Sequence, residues 1–190
     1  MSRREVRLSG FGGQGIVLAG LILGKAAALH EGRHACMTQS YGPESRGGAC
    51  TADVIVSDEE IDYPLVTAPD VLVALSREAC FKHLPSVRAG GLAIFDADLA
   101  EPGAQTCVRL LPLPATRLAE QLGKKLVANM VALGFLAAAT DCLGPQDHLA
   151  RQAMVQAIRS SVPRQFVSLN LQAFDVGYAY AVRRVTTGSH

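Results

Sequence analysis

Glu5-Val6-Arg7-Leu8-Ser9 leads directly into Gly10-Phe11-Gly12-Gly13-Gln14-Gly15, after which residues 16–29 form an apolar run rich in alanine and leucine. Apolar and polar residues alternate over residues 5–9 with the period of a strand, and the run after the glycines has the composition of a helix. Strand, tight turn and helix in this order begin an α/β sheet. The glycines match G-x-G-x-x-G in the setting where such a loop brings backbone N–H groups to a phosphate at a helix N-terminus. The same spelling also serves a turn that only lets the first helix pack closely on the sheet.

Working outward, residues 34–38 read as a second short strand. Residues 39–48 then read as a polar loop, punctuated by glycine and proline and too long for an ordinary connection. Residues 49–57 resume as a strand that follows without a crossover helix and so can pair antiparallel, and an acidic turn follows at Asp58, Glu59 and Glu60. Residues 70–75 and 91–95 have the continuous β-rich composition of central strands buried on both faces. A short helix between them, residues 76–84, starts with Ser76 as N-cap and Glu78 in its first turn. A further strand is expected over residues 106–110, broken by Pro112 and Pro114, then a helix over 115–122 that Gly123 stops. The remainder is helical: 127–141, 146–159 and 169–182, separated by Gly144-Pro145 and Pro163. The expected fold is a three-layer α/β/α Rossmann-like domain with a mostly parallel or mixed sheet and a helical C-terminal part. Residues 1–187 are expected to form one domain, and Gly188, Ser189 and His190 resemble a cloning remnant. Residues 127–139 are apolar nearly all round, the pattern of a deeply buried helix or one that also faces another subunit.

Of 190 residues, 49% are hydrophobic, enough for a sizeable core. Eighteen basic against seventeen acidic side chains leave a net charge of +1, which offers no global field for nucleic acid or anionic lipid. Cys36, Cys50, Cys80, Cys107 and Cys142 are scattered, with no pair at the spacing of zinc or iron–sulfur sites. That odd count, with no recognisable signal peptide, fits a reducing cytoplasm and no disulfides. The apolar stretches at residues 16–24 and 126–139 are too short to span a bilayer.

Two segments could carry chemistry. The first is the glycine loop, with Gly10, Gly12, Gly13, Gln14 and Gly15 as candidate cofactor-binding residues. A dinucleotide site also wants a carboxylate about 20 positions on to hold a ribose. Cys36-Met37-Thr38-Gln39-Ser40 occupies that stretch, so a standard NAD or FAD site is not expected. The second segment is Ser40-Tyr41-Gly42-Pro43-Glu44-Ser45-Arg46-Gly47-Gly48, with Ser40, Tyr41, Arg46 and Gly47 as candidates. Arg46 can bind a carboxylate or phosphate bidentately, or form a surface or interface salt bridge with a group such as Glu44. In a doubly wound sheet both loops leave carboxyl ends of strands and share one crevice. His30, His34, His83 and His148 have no partner at ligand spacing, and no nucleophile elbow surrounds Ser9 or Ser45. These residues leave open a stand-alone nucleotide-binding module and a structural scaffold.

Together with Val127-Ala128-Asn129-Met130-Val131 and Leu133-Gly134, the two loops resemble, in order and spacing from about residue 6 to residue 160, the γ subunit of 2-oxoacid:ferredoxin oxidoreductases. Residues 57–64 and 69–72 are also similar to that family. Ser40-Tyr41-Gly42-Pro43-Glu44 is most similar to 2-oxoglutarate-type γ subunits, ahead of pyruvate, 2-oxoisovalerate and indolepyruvate relatives. The resemblance implies an enzyme complex, inactive as this chain alone, that decarboxylates a 2-oxoacid, reduces ferredoxin and makes an acyl-CoA. Thiamine diphosphate and iron–sulfur clusters would sit on α, β and ferredoxin-like δ partners. The two loops would frame the coenzyme A site or an interface, and Asn129 and Met130 would lie at a subunit contact or, for Asn129, a helix packing point. No residue matches a family acid–base catalyst. A chain made to bury a large face against partners is expected to be a homodimer when isolated. The cysteine spacing predicts that the purified chain carries no iron and no visible chromophore; an absorption spectrum and an iron assay on freshly purified protein check this.

Overall fold

The computed structural model describes residues 3–42, 48–103, 107–141 and 150–187. Its strands are β1 (Arg3–Phe11), β2 (His34–Tyr41), β3 (Ala49–Ser57), β4 (Val71–Ala74), β5 (Leu92–Asp96) and β6 (Arg109–Leu113). They form one mixed sheet in the order β2-β3-β1-β4-β5-β6. β1, β4, β5 and β6 are parallel, while β3 runs antiparallel to both of its neighbours, β1 and β2. A strand reached without a crossover helix has to turn back on its predecessor, as β3 does on β2. Because β3 opposes both, β1 and β2 point the same way and finish at the same end of the sheet.

The helices are α1 (Ile16–Lys25), continued by a π-helical turn to His30, α2 (Arg77–His83), α3 (Ala115–Gln121), α4 (Ala128–Asp141), α5 (Arg151–Ser161) and α6 (Val167–Thr187). One sheet face, with Val6, Leu8, Ala52, Val54, Val73 and Ile94, packs into a core shared by α1, α3, α4, α5 and α6. The opposite face buries Leu72, Ala74, Ala93 and Phe95 against Ala79, Cys80 and Leu84 of α2 and its extension. This is the expected α/β architecture with helices on both faces of a mixed sheet. None of the helices is long and apolar enough to cross a membrane among the described residues.

Two expectations shift. Gln39, Ser40 and Tyr41 are not loop but the end of β2, because Ala52, Thr51 and Cys50 are available to pair with them. Pro112 does not break the last strand: it lies within β6 opposite Phe95, on an edge strand where one missing N–H leaves no ladder bond unmade. The helix stops fare better. Ser76 Oγ accepts from Ala79 N at 3.1 Å as the N-cap of α2, and Gly123 (φ +82°) follows α3 in the left-handed conformation.

Residues 127–140 are buried without exception, which leaves α4 no side free for a partner. Its closest neighbour is α6, and the contact is backbone on backbone. A Cβ on Gly134 would strike the Phe174 carbonyl, and one on Gly177 would strike the Val131 carbonyl. Backbone cannot yield as a side-chain tip can, so a single methyl must push the helices apart. Gly134→Ala is expected to destabilise the chain by about 2–3 kcal/mol, at the upper end of ordinary overpacking, read as a lower urea midpoint. Gly177→Ala should do the same, and the double variant should cost less than the sum because one separation relieves both clashes.

Candidate functional site

The glycine loop meets Gly42 and Gly48, the described residues that follow β2 and precede β3, at the end of the sheet where β1 and β2 finish. Gly12 N donates to Gly48 O at 2.8 Å, Gly42 N donates to Ala49 O at 2.7 Å, and Phe11 pairs with Ala49 across the β1–β3 ladder. Tyr41 is 63% exposed and Phe11 38%, so two aromatic rings stand at this end. Gly12 and Gly13 are exposed, and Gly13 (φ +95°) has open space where a side chain would project. Arg46 and Gly47 lie outside the described residues. The juxtaposition expected of the two loops is therefore seen from Ser40, Tyr41, Gly42 and Gly48 on one side and residues 10–15 on the other.

The loop's interior is already occupied. Gln14 folds back so that Oε1 accepts from Phe11 N at 2.6 Å and Nε2 donates to the Leu75 carbonyl at 2.8 Å. Its carboxamide fills the space above Gly10, where an added Cβ would collide with Oε1. That space is the crevice between the ends of β1 and β4, where open α/β sheets receive a diphosphate. Here it holds a protein side chain that ties the two strand ends together, so the residues present do not fit a dinucleotide in the usual cradle.

The far side of the loop is closed in the same way. Gly15 takes φ +71° as the residue before α1, and the space beside it is filled by Asn129, whose Nδ2 donates to Gly15 O at 3.1 Å. Asn129 Oδ1 accepts from Met130 N at 2.9 Å. The expectation of a subunit contact at these two positions is corrected: Asn129 is 4% exposed and Met130 fully buried within the chain. Asn129 is a helix packing point. A lone carboxamide at the start of an apolar helix was the sequence signal for it, since a buried amide must find partners.

Beneath β1 and β3, on the α2 face, lies a polar cluster that sequence reasoning missed. Arg7 makes a two-pronged pair with Asp53, its Nε and Nη2 reaching the carboxylate at 2.8 and 2.7 Å, and also donates to Val66 O. Further along, Ser9 Oγ donates to Cys50 O at 3.3 Å and lies 3.2 Å from Thr51 Oγ1, which is 3.5 Å from His83 Nε2. Arg7 and His83 are 76 positions apart in sequence; the β1–β3 register Ser9↔Thr51 and Arg7↔Asp53 aligns the strand residues, and α2 packing on β1 brings His83 to them. Burial pushes His83 down to about 4, helped by the nearby positive charges of Arg7 and Lys82 and opposed by Asp53. The imidazole is thus neutral in the fold. Burial also raises the thiols of Cys50 and Cys80, which makes them poor nucleophiles. Asp96, at the carboxyl end of β5, accepts from both Thr116 N and Thr116 Oγ1 and so serves the start of α3. No group of three or more metal-ligating side chains is found among the described residues.

The profile of the pyruvate ferredoxin/flavodoxin oxidoreductase family matches residues 5–180. The chain belongs to that family. It is 46% identical over 182 residues to the 2-oxoglutarate synthase subunit KorC of Methanothermobacter marburgensis, covering 92% of this chain and 95% of that one. To the KorC of Methanocaldococcus jannaschii it is 45% identical over 182 residues, covering 94% of each. Among solved structures, the γ subunit of a keto/oxoacid ferredoxin oxidoreductase from Geobacter sulfurreducens superposes with a TM-score of 0.81 at 37% identity, covering 95% of this chain and 99% of that one. The 2-oxoglutarate:ferredoxin oxidoreductase of Magnetococcus marinus has the same fold in 32% of its chain, with a TM-score of 0.85 over 96% of this one at 23% identity. Members of the family are subunits of oxidoreductases, and this chain has the γ-type fold.

His83 gives the site region a pH signature. Its folded value of about 4 lies below the ordinary 6.5, so the unfolded chain binds the extra proton first. Its stabilising contribution is complete above pH 6.5 and is lost as pH falls from 6.5 through 4. His83→Gln, which keeps a hydrogen-bonding group beside Thr51, is expected to flatten that part of the stability profile. Urea midpoints at half-unit pH steps check it.

Proposed function

We propose that the chain is the γ subunit of a 2-oxoglutarate:ferredoxin oxidoreductase, acting in the cytoplasm. The complex would convert 2-oxoglutarate to an acyl-CoA while reducing ferredoxin. The observation that carries this reading is the 46% identity to a 2-oxoglutarate synthase subunit over nearly the full length of both chains. Identity to the ketoisovalerate oxidoreductase subunit VorA of Methanothermobacter marburgensis is lower, at 35%, and this chain covers only 37% of that protein. The substrate assignment therefore leans toward 2-oxoglutarate.

Thiamine diphosphate, bound by partner subunits, would supply the carbanion chemistry of decarboxylation, and their iron–sulfur clusters would take the electrons. The scattered cysteines and the filled crevice of this chain fit that division. The chain's own part is to shape the surface that receives coenzyme A. Gly12 and Gly13 leave the end of the sheet open to close approach, Tyr41 offers a flat aromatic face, and Arg46 carries a planar cation suited to phosphate. Gln14 and Asn129 hold this surface from behind. Coenzyme A would lie across the outside of the loops, since the inside is taken. The α, β and δ subunits would cover the same end. In isolation the chain would pair with a second copy of itself.

The packing of Gln14 and Asn129 favours one alternative, a scaffold whose loops touch only other subunits. Reconstitution with the partner subunits separates the two. The isolated chain should show no 2-oxoglutarate-dependent ferredoxin or viologen reduction, and the assembled enzyme should. Arg46→Ala in the assembled enzyme should raise the coenzyme A requirement roughly 10- to 100-fold, the loss of about 1.5–3 kcal/mol typical of a charged hydrogen bond, with assembly intact. A variant that fails to assemble favours the scaffold, and one that assembles and handles coenzyme A normally removes the loop from the site.

A further inference from the structure

The two edges of the sheet are built differently. β6 is five residues long and carries Arg109 and Pro112, features that discourage pairing with another strand. β2 is eight residues long, His-Ala-Cys-Met-Thr-Gln-Ser-Tyr, with no proline, no lysine or arginine and no carboxylate. Among the described residues it pairs with β3 on one side and with no strand on the other. Its free edge of about 27 Å is a row of backbone donors and acceptors that nothing in the side chains protects.

We infer that β2 is the seam of a symmetric homodimer, pairing antiparallel with β2 of a second copy to make one continuous twelve-stranded sheet. This rests on the homodimer reading above and names its surface. The strand is complementary to itself: it carries no acidic residue, lysine or arginine along its length, so reversal opposes no like charges among them, and β-favouring Thr38 lies in its middle. The neighbouring helix adds apolar area. α1 and the π-helical turn after it pack on β2, with Ala35 and Met37 turned to the same core as α1. That helical segment leaves Leu21 42% and Leu29 67% exposed. A ladder of hydrogen bonds alone falls short of the roughly 1,200 Å² that a stable interface buries, and a second α1 brought to the same side of the seam supplies apolar surface toward it.

The geometry constrains the register. Directly opposed residues in an antiparallel ladder share a face, so keeping both α1 helices on one side requires one β2 residue to face its own copy. Single cysteines at 37, 38 and 39 in a background with all five native cysteines, exposed Cys107 among them, replaced by serine or alanine, and Cys36 restored alone as a fourth site, scan for that position. Oxidation of the full chain should trap a covalent dimer at one or two neighbouring sites, and at none when cysteine replaces exposed Leu126. Thr38→Lys should weaken the dimer at least tenfold by sedimentation equilibrium, and Leu21→Glu should weaken it as well, with circular dichroism unchanged in both. A monomeric wild-type chain overturns the homodimer reading itself. A dimer that ignores Thr38→Lys and gives no crosslink along β2 overturns the seam alone, and loss of crosslinking on adding partner subunits would show that the same edge is taken by them in the complex.

Discussion

α4 has no polar face, and the rest of the structure follows from the need to cover it. A helix apolar on every side is stable in water only when other elements surround it. The sheet face beneath it, α3, α5 and α6 do so, and the α6 contact is close enough that Gly134 and Gly177 meet backbone directly. Two polar side chains enter this environment: Thr140, whose hydroxyl is satisfied within the helix by the Leu136 and Ala137 carbonyls, and the carboxamide of Asn129 at the start of the helix. Left without partners the carboxamide would cost as much as a lost buried hydrogen bond. Its link to Gly15 O removes that cost and fixes the start of α1 to the most buried element of the chain.

From that anchor the glycine loop acquires a meaning different from its spelling. In a dinucleotide-binding fold the glycines empty a crevice for a diphosphate. Here Gly10 makes room for Gln14, and Gly15 makes room for Asn129. Both vacancies are filled by side chains of the same protein, whose amides link β1 to β4 and α1 to α4. The outer surface at Gly12 and Gly13 is what remains for anything else to approach. A loop held so firmly from behind presents a fixed outline at that surface.

Much of this was legible before any coordinates. Alternation, glycine placement and the Ser76 and Gly123 signals located strands and helices, because those cues are local. The antiparallel turn of β3 followed from the missing crossover helix. What remained illegible depended on pairing. Gln39 to Tyr41 look like loop residues and become strand once Ala52 to Cys50 lie opposite them. Pro112 looks like a breaker and is harmless at an edge. The Ser9, Thr51 and His83 cluster could not be seen, since no spacing rule joins residues that only sheet register and the packing of α2 on the sheet bring together. Met130, read as a subunit contact, and Asn129, read as a subunit contact or a helix packing point, are both internal, because an apolar helix does not say which body covers it.

The polar groups described at the site end hold the fold in place. A general acid or base needs a group whose charge changes near working pH and which can reach a substrate. His83 is the histidine closest to qualifying, yet burial and two neighbouring cations hold it neutral, and its ring faces Thr51 inside the fold. The buried thiols are pushed away from the reactive thiolate form, and Asp96 is committed to the start of α3. Polar groups at this end are therefore used to hold strands and helices in register.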